Sequence, residues 1–150
     1  VTSPVLHMLL HGSWLHLLMN LGMLMAFGAG LERHVGARVL LVLFVITGIA
    51  GAFFHVAFYP DAIRGLIGAS GGISGLFGAV LMMMFSSQDP HANSRARLKQ
   101  LFPFIAVWIG VSLFFGFFGM RGEDADIAWT AHIGGFLAGL VLYGPIVKRF

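Results

Sequence analysis

The sequence predicts an all-α membrane protein, a polytopic bundle of about five transmembrane helices. Hydrophobic residues make up 58% of the 150 residues and charged residues only 10%, with a mean hydropathy of +0.90. Soluble domains are about 45–50% apolar and about 25% charged, so lipid must cover much of this chain's apolar surface. The 21 glycines indicate tight packing, because small residues let membrane helices approach each other closely.

Five apolar stretches define the predicted spans, and each approaches the ~20 residues needed to cross the hydrocarbon core. They cover residues 14–31, 39–59, 66–85, 101–120 and 128–147. Polar or turn-forming segments separate them, as expected for loops at the membrane surface. No soluble linker or second domain is recognisable, so residues 1–150 are predicted to form one membrane domain.

The basic residues predict the orientation of these spans. Seven of the nine Lys and Arg follow the first, third and fifth spans, namely Arg33, Arg38, Arg95, Arg97, Lys99, Lys148 and Arg149. Arg64 and Arg121 lie at the opposite ends. The positive-inside rule therefore predicts a cytoplasmic C-terminus and an external N-terminus, with a further helix expected before Val1.

Composition also narrows the partners and the compartment. The Lys and Arg lie between apolar runs rather than on one basic face, so we expect a lipid bilayer and no nucleic acid as partner. The absence of cysteine excludes a disulfide framework and a thiolate nucleophile. The sequence carries no recognisable organelle signal, and we expect a bacterial inner membrane. The oligomeric state stays open.

Polar side chains at membrane depth indicate a functional site, because each is costly there unless it is satisfied or used. The first span carries His11, His16 and Asn20, the third begins near Ser70, and the fifth begins near His132. Counted back from the first polar residue at each cytoplasmic end, His16, Ser70 and His132 lie at the same level. That level is about 24 Å above the cytoplasmic boundary, at about 1.5 Å per residue. One shared site near the outer face is therefore predicted.

The third span is too short after Ser70 to cross the bilayer comfortably, so we expect its helix to begin at Ser70, inside the membrane. Residues 64–68 would enter the membrane as irregular backbone, which is tolerated where it lines protein or a wet cavity. A helix N-terminus offers free N–H groups and a dipole that favours developing negative charge.

These residues supply the parts of an acyl-transfer site. Ser70 is the predicted nucleophile and His132 its general base. His16 and Asn20, four residues apart on one helix face, could form an oxyanion hole with the Ser70 backbone N–H. All the acidic residues fall in the predicted loops, so a Ser–His dyad is favoured over a triad. This chemistry requires no metal and no cofactor.

Other interpretations of the same residues stay open. Ser74 lies in a second Gly-x-Ser-Gly and could be the nucleophile, one helical turn deeper. His16 and Asn20 could simply hydrogen-bond neighbouring helices, and His55 is expected to be a packing histidine. A transporter or metal carrier could use His7, His11 and His16 as ligands, but the five spans contain no acidic residue to complete such a site.

Three segments resemble, in order, the signatures of the rhomboid family of intramembrane serine proteases: His11-x4-His16-x3-Asn20, Gly68-Ala69-Ser70-Gly71 and Ala131-His132-x2-Gly135-x3-Gly139. The resemblance covers the family's second to sixth helices. It implies a partial protease domain with a rhomboid-like fold, lacking the first helix and the loop that follows it.

The resemblance also implies an activity and roles for individual residues. It implies hydrolysis of peptide bonds in or near transmembrane segments of membrane-protein substrates, by Ser70 with His132 as base. The oxyanion hole would be formed by His16, Asn20 and the Ser70 backbone. Supporting roles fall to His11, Gly68, Gly71, Gly135 and Gly139.

The sequence departs from the family pattern at Ser74, where many members carry an aromatic residue that packs on the histidine ring. A catalytically silent relative that binds transmembrane clients is the remaining alternative within the family. Such relatives typically lack the serine or the histidine, and both are present here.

Overall fold

A computed structural model describes residues 3–60, 66–88, 94–118 and 129–150 of the chain. All regular structure in these ranges is helical, which confirms the all-α prediction. A 3₁₀ turn at Leu6–Leu9 precedes five α-helices: α1 (Trp14–Val35), α2 (Ala37–Phe58), α3 (Ser70–Gln88), α4 (Ser94–Phe118) and α5 (Trp129–Arg149). Arg64, Arg121 and the predicted span ends at residues 120 and 128 lie outside the described ranges.

The start of α3 agrees with the sequence-based prediction. Residues 66–69 have no helical structure, and the helix begins at Ser70. Residues 64 and 65 of the predicted irregular segment lie outside the described ranges. The nucleophile candidate is therefore the first residue of its helix.

Other helix boundaries differ from the hydropathy-based spans by several residues. Helix α1 continues past residue 31 to Val35 and ends at Gly36, whose positive φ of 84° is readily adopted by glycine and rarely by other residues. Helix α4 begins at Ser94 rather than at residue 101. Its first turns contain Arg95, Lys99 and other good helix formers. The hydropathy-based span began later because hydropathy marks the edge of the lipid and not the end of backbone hydrogen bonding.

Length and composition make three helices, α1, α2 and α5, long and apolar enough to cross a membrane. Helices α3 and α4 contain the shorter apolar stretches Ser70–Ser86 and Leu98–Phe114. Large apolar side chains are exposed on the outside of the bundle, among them Trp14 (80%), Met25 (73%) and Val141 (70%). A surface of this kind is suited to lipid and not to water.

Helix α3 lies at the centre of the bundle and contacts each of the other four helices, most extensively α5. Its side chains Ile73, Leu76 and Ala79 are at most 1% exposed. The buried Thr47 hydroxyl on α2 donates to the Leu43 carbonyl of its own helix at 2.7 Å and lies 3.3 Å from the Gly72 carbonyl of α3. The helix that begins at Ser70 is therefore held on all sides.

Glycines let α3 and α5 pack backbone to backbone. A Cβ added at Gly139 would collide with the carbonyl of Gly75, and one added at Gly78 would lie 2.5 Å from the carbonyl oxygen of Phe136. Such contacts leave no room for a side chain at these positions. The two helix axes run close together along this seam, which brings the first turns of α3 and α5 side by side.

Candidate active site

The side chains of Ser70 and His132 meet at the paired first turns of α3 and α5. His132 Nε2 lies 2.8 Å from Ser70 Oγ, within hydrogen-bonding distance. Both residues are partly buried. A nucleophile and a general base must be within about 2.6–3.2 Å of each other, and this pair meets that requirement.

The position of Ser70 at the start of α3 affects the electrostatics of the site. The amide of Ile73 donates to the Ala69 carbonyl at 3.0 Å, so the helical hydrogen-bond pattern begins there. The first N–H groups of an α-helix have no partner within the helix, and the dipole adds a positive potential at this end. Negative charge that develops beside Ser70 is stabilised by both features.

Gly68 contacts the His7 carbonyl and lies beside the side chains of His16 and Ser70. Its N–H donates to the His7 carbonyl at 2.9 Å, and its φ is 108°, a conformation that side chains rarely adopt. A Cβ added at Gly68 would lie 2.8 Å from His16 Nε2 and 3.7 Å from Ser70 Oγ. The His16 ring and the Ser70 hydroxyl therefore lie beside the same glycine.

The structure buries His7 at 3% exposure in the 3₁₀ turn. Burial lowers the pKa of the His7 side chain below its ordinary value, so the ring is neutral at neutral pH. Its backbone carbonyl fixes the segment before Ser70 through Gly68. This contact could not be predicted from residue identities, because it is made by the main chain and not by a side chain.

His11 packs against His16. The two ring centroids are 5.0 Å apart, with an interplanar angle of 67°. His11 Nε2 is buried and has no hydrogen-bond partner among the described residues. His11 thus limits where the His16 ring can lie, and no hydrogen bond links it to Ser70 among the described residues.

Asn20 is 6% exposed, and its amide Nδ2 donates to the His16 carbonyl at 2.8 Å. Among the described residues, no hydrogen bond links Asn20 to Ser70 or His132. The structure therefore brings Asn20 to His16 rather than directly to the nucleophile. An amide nitrogen carries two hydrogens, so one stays available after this bond.

Ser74 occupies a different environment from Ser70. It is 2% exposed, and its hydroxyl donates to the Ser70 carbonyl at 2.7 Å. The hydrogen bond of His132 goes to Ser70 and not to Ser74, which favours Ser70 as the nucleophile. Within the described ranges, no aromatic ring stacks on His132 in place of the residue that Ser74 lacks.

The glycines of the motifs lie at the contact between α3 and α5. A Cβ added at Gly135 would collide with the Gly71 carbonyl, and Gly139 meets Gly75 in the same way. A Cβ added at Gly71 would lie 3.4 Å from the Ala131 carbonyl oxygen. These glycines act through the distance between helices, since they carry no group that could take part in the chemistry.

Sequence reasoning missed a hydrogen bond close to His132. His55 Nδ1 on α2 lies 2.6 Å from Thr130 Oγ1 on α5, and Thr130 is fully buried. His55 is therefore hydrogen-bonded as well as packed. Only the proximity of Thr130 to His132 was visible in the sequence, and nothing there linked it to His55.

The histidine ligand set that a metal carrier would need does not form in the described part of the chain. There, no group of three or more His, Cys, Asp or Glu side chains is placed to hold a metal ion. His7, His11 and His16 therefore do not converge on one point.

The family model for the Rhomboid domain matches residues 1–149. The chain belongs to the rhomboid family. Its relatives include RHOMBOID-like protein 5 of Arabidopsis thaliana, which is 33% identical over 93% of this chain and 42% of its own length. Rhomboid-related protein 2 of Mus musculus is 32% identical over 96% of this chain and 47% of its own length.

A bacterial relative is named as a protease. Rhomboid protease AarA of Providencia stuartii is 29% identical over 90% of this chain and 52% of its own length. The chain thus spans about half, or less, of the length of these relatives. Family membership and the apolar helices together make this rhomboid chain a multi-pass membrane protein.

Proposed function

We propose that this chain carries the catalytic site of an intramembrane serine endopeptidase. Its substrates are membrane proteins, which it cleaves at peptide bonds in or near their transmembrane segments. The observation that carries the proposal is the 2.8 Å contact between His132 Nε2 and Ser70 Oγ, made at the first turns of two helices that glycines press together. Membership of the rhomboid family supports the same activity.

The geometry suggests how the reaction proceeds. His132 Nε2 takes the Ser70 hydroxyl proton as Oγ bonds to the carbonyl carbon of the scissile peptide. His132 then gives this proton to the leaving amine as the C–N bond breaks, and an acyl-enzyme remains on Ser70. A water molecule, activated by the same histidine, hydrolyses the ester and restores the serine.

The negative charge on the substrate oxygen needs hydrogen-bond donors. The Ser70 N–H at the helix start and His16 Nε2 beside Gly68 are close to the nucleophile and suited to this role. Asn20 would contribute the amide hydrogen that its bond to the His16 carbonyl leaves available. One such donor contributes about 2.7–4 kcal/mol to stabilising the transition state.

A serine-directed activity probe tests this proposal. The protein in detergent or liposomes is incubated with a fluorophosphonate, and the labelled residue is located by mass spectrometry. We expect label on Ser70, lost in His132→Ala while the helical circular dichroism spectrum is retained. A folded protein that takes no label would contradict the protease proposal and favour the silent, client-binding alternative.

We further propose that the C-terminus is cytoplasmic and that the site opens towards the outer face of a bacterial inner membrane. The excess of Lys and Arg after the first, third and fifth spans supports this orientation. These 150 residues contain no cysteine, so a single-cysteine variant adds one reactive thiol to this part of the protein. In intact spheroplasts, an impermeant maleimide should label Ser3→Cys and not Phe150→Cys. The reverse result would overturn the proposed orientation. Membrane fractionation tests the proposed location in the inner membrane.

A further inference from the structure

A hydrogen bond between α2 and α5 is made two residues before the proposed base, His132. Thr130 is in the first turn of α5, which begins at Trp129, and its side chain is 0% exposed. Its Oγ1 lies 2.6 Å from His55 Nδ1, and either histidine tautomer allows a hydrogen bond. His132 follows two residues later and contacts Ser70.

This bond and the dyad hold opposite sides of the same helical turn. Two residues along an α-helix are separated by about 200° around the axis, so Thr130 and His132 point in different directions. Thr130 is fixed towards α2, and His132 points towards α3. Each of these side-chain hydrogen bonds joins α5 to another helix.

Next to Thr130, part of the contact between α2 and α5 is made by glycine and backbone atoms. A Cβ added at Gly51 of α2 would lie 2.5 Å from the Ala131 carbonyl oxygen, and Gly134 lies against Phe54. Further along α5, Phe136 is 0% exposed and packs against Phe77 and Trp108. In the first turn, the directional hydrogen bond of Thr130 restrains the orientation of the helix.

We propose that His55 and Thr130 are positioning residues, whose hydrogen bond fixes the rotation of the first turn of α5 and so holds His132 Nε2 against Ser70 Oγ. This inference rests on the proposed protease function. A rotation of about 10° would move a side-chain atom some 6 Å from the helix axis by about 1 Å, and a misplacement of that size can slow catalysis on the order of 100-fold.

The experiment compares variants that remove the bond and preserve the shape. Thr130→Val replaces the hydroxyl by a methyl group, and Thr130→Ser keeps the hydroxyl. His55→Phe removes the ring nitrogens and retains a ring next to Tyr59, whose centroid lies 5.5 Å from that of His55. Ser112→Ala on α4 is the matched control, because it also deletes a buried hydroxyl, one that is 3% exposed.

The measurements are the rate of fluorophosphonate labelling of Ser70, kcat and KM with a transmembrane substrate, and the melting temperature in detergent. For Thr130→Val we expect labelling and kcat to fall about 10- to 100-fold with KM within about twofold, since a misplaced base slows the chemistry rather than binding. Thr130→Ser should recover most of the rate. Ser112→Ala should keep both the labelling rate and kcat.

The double variant separates a shared bond from two independent effects. If one hydrogen bond is responsible, the double variant His55→Phe, Thr130→Val should label Ser70 no more slowly than the slower of the two single variants. Fully additive losses, unchanged labelling in Thr130→Val, or an equal loss in Ser112→Ala would each overturn the positioning role. Absence of Ser70 label in the unaltered protein would instead overturn the proposed function, and this inference with it.

Discussion

The carbonyl oxygen of Gly71 on α3 occupies the space that a side chain on Gly135 of α5 would need. The atoms nearest to that space all belong to the Gly71 backbone, so they cannot turn aside as the end of a flexible side chain would. The contact lies one residue beyond Ser70 and three beyond His132. It therefore sets the distance over which the dyad forms.

Gly135→Ala should destabilise the bundle and separate the dyad. The added methyl group must push α5 away from α3, and overpacking of this kind costs about 1–3 kcal/mol of unfolding free energy. Gly144→Ala on the same helix is the control, because no atom lies within 4 Å of a Cβ added there. Thermal unfolding in detergent and Ser70 labelling measure the two effects, and equal behaviour of the two variants would contradict the proposed seam.

Gly68→Ala should damage the site through the His16 ring. Gly68 and Gly36 both have positive φ, 108° and 84°, so alanine strains the backbone at either position. A Cβ at Gly68 also meets His16, whereas one at Gly36 meets nothing within 4 Å. We expect the two variants to lose similar amounts of stability. Among the folded molecules, only Gly68→Ala should turn over substrate at least about tenfold more slowly than the unaltered protein. Equal turnover of the two folded variants would argue against the role of His16.

Asn20→Ala should lower kcat about 10- to 1000-fold, the range that follows loss of an oxyanion donor. The variant also removes the bond from the Asn20 amide to the His16 carbonyl, so both donors on α1 are affected. Steady-state kinetics with a transmembrane substrate measures the loss, and the melting temperature shows whether the fold survives. Turnover at the unaltered rate would remove Asn20 from the oxyanion hole.

Ser74→Ala should keep fluorophosphonate label on Ser70. The Ser74 hydroxyl donates to the Ser70 carbonyl, so its loss costs about 0.5–1.5 kcal/mol of stability and leaves the dyad in place. Peptide mapping of the labelled protein identifies the modified serine. If Ser74→Ala takes no label while Ser70→Ala does, the deeper serine is the nucleophile.

The helices could be located from the sequence because lipid exposure and helix formation depend on short stretches of chain. The start of α3 at Ser70 followed from the length left to cross the membrane and the glycines before it. The start of α4 at Ser94 could not be predicted from hydropathy, because the polar turns before residue 101 are helical outside the apolar stretch. The 3₁₀ turn at Leu6–Leu9 is too short to leave a periodic signal.

The sequence by itself determined the membrane fold and the family motifs, and it predicted a common level for His16, Ser70 and His132, since each depends on residue identity and spacing along one helix. Only the tertiary structure decided which faces meet: His132 at Ser70, Asn20 at the His16 carbonyl and His55 at Thr130. Spacing fixes the height of a residue in the bilayer, but the rotation of each helix depends on its neighbours. That rotation is set by the packing of glycine backbones and by hydrogen bonds between helices, which no single segment encodes.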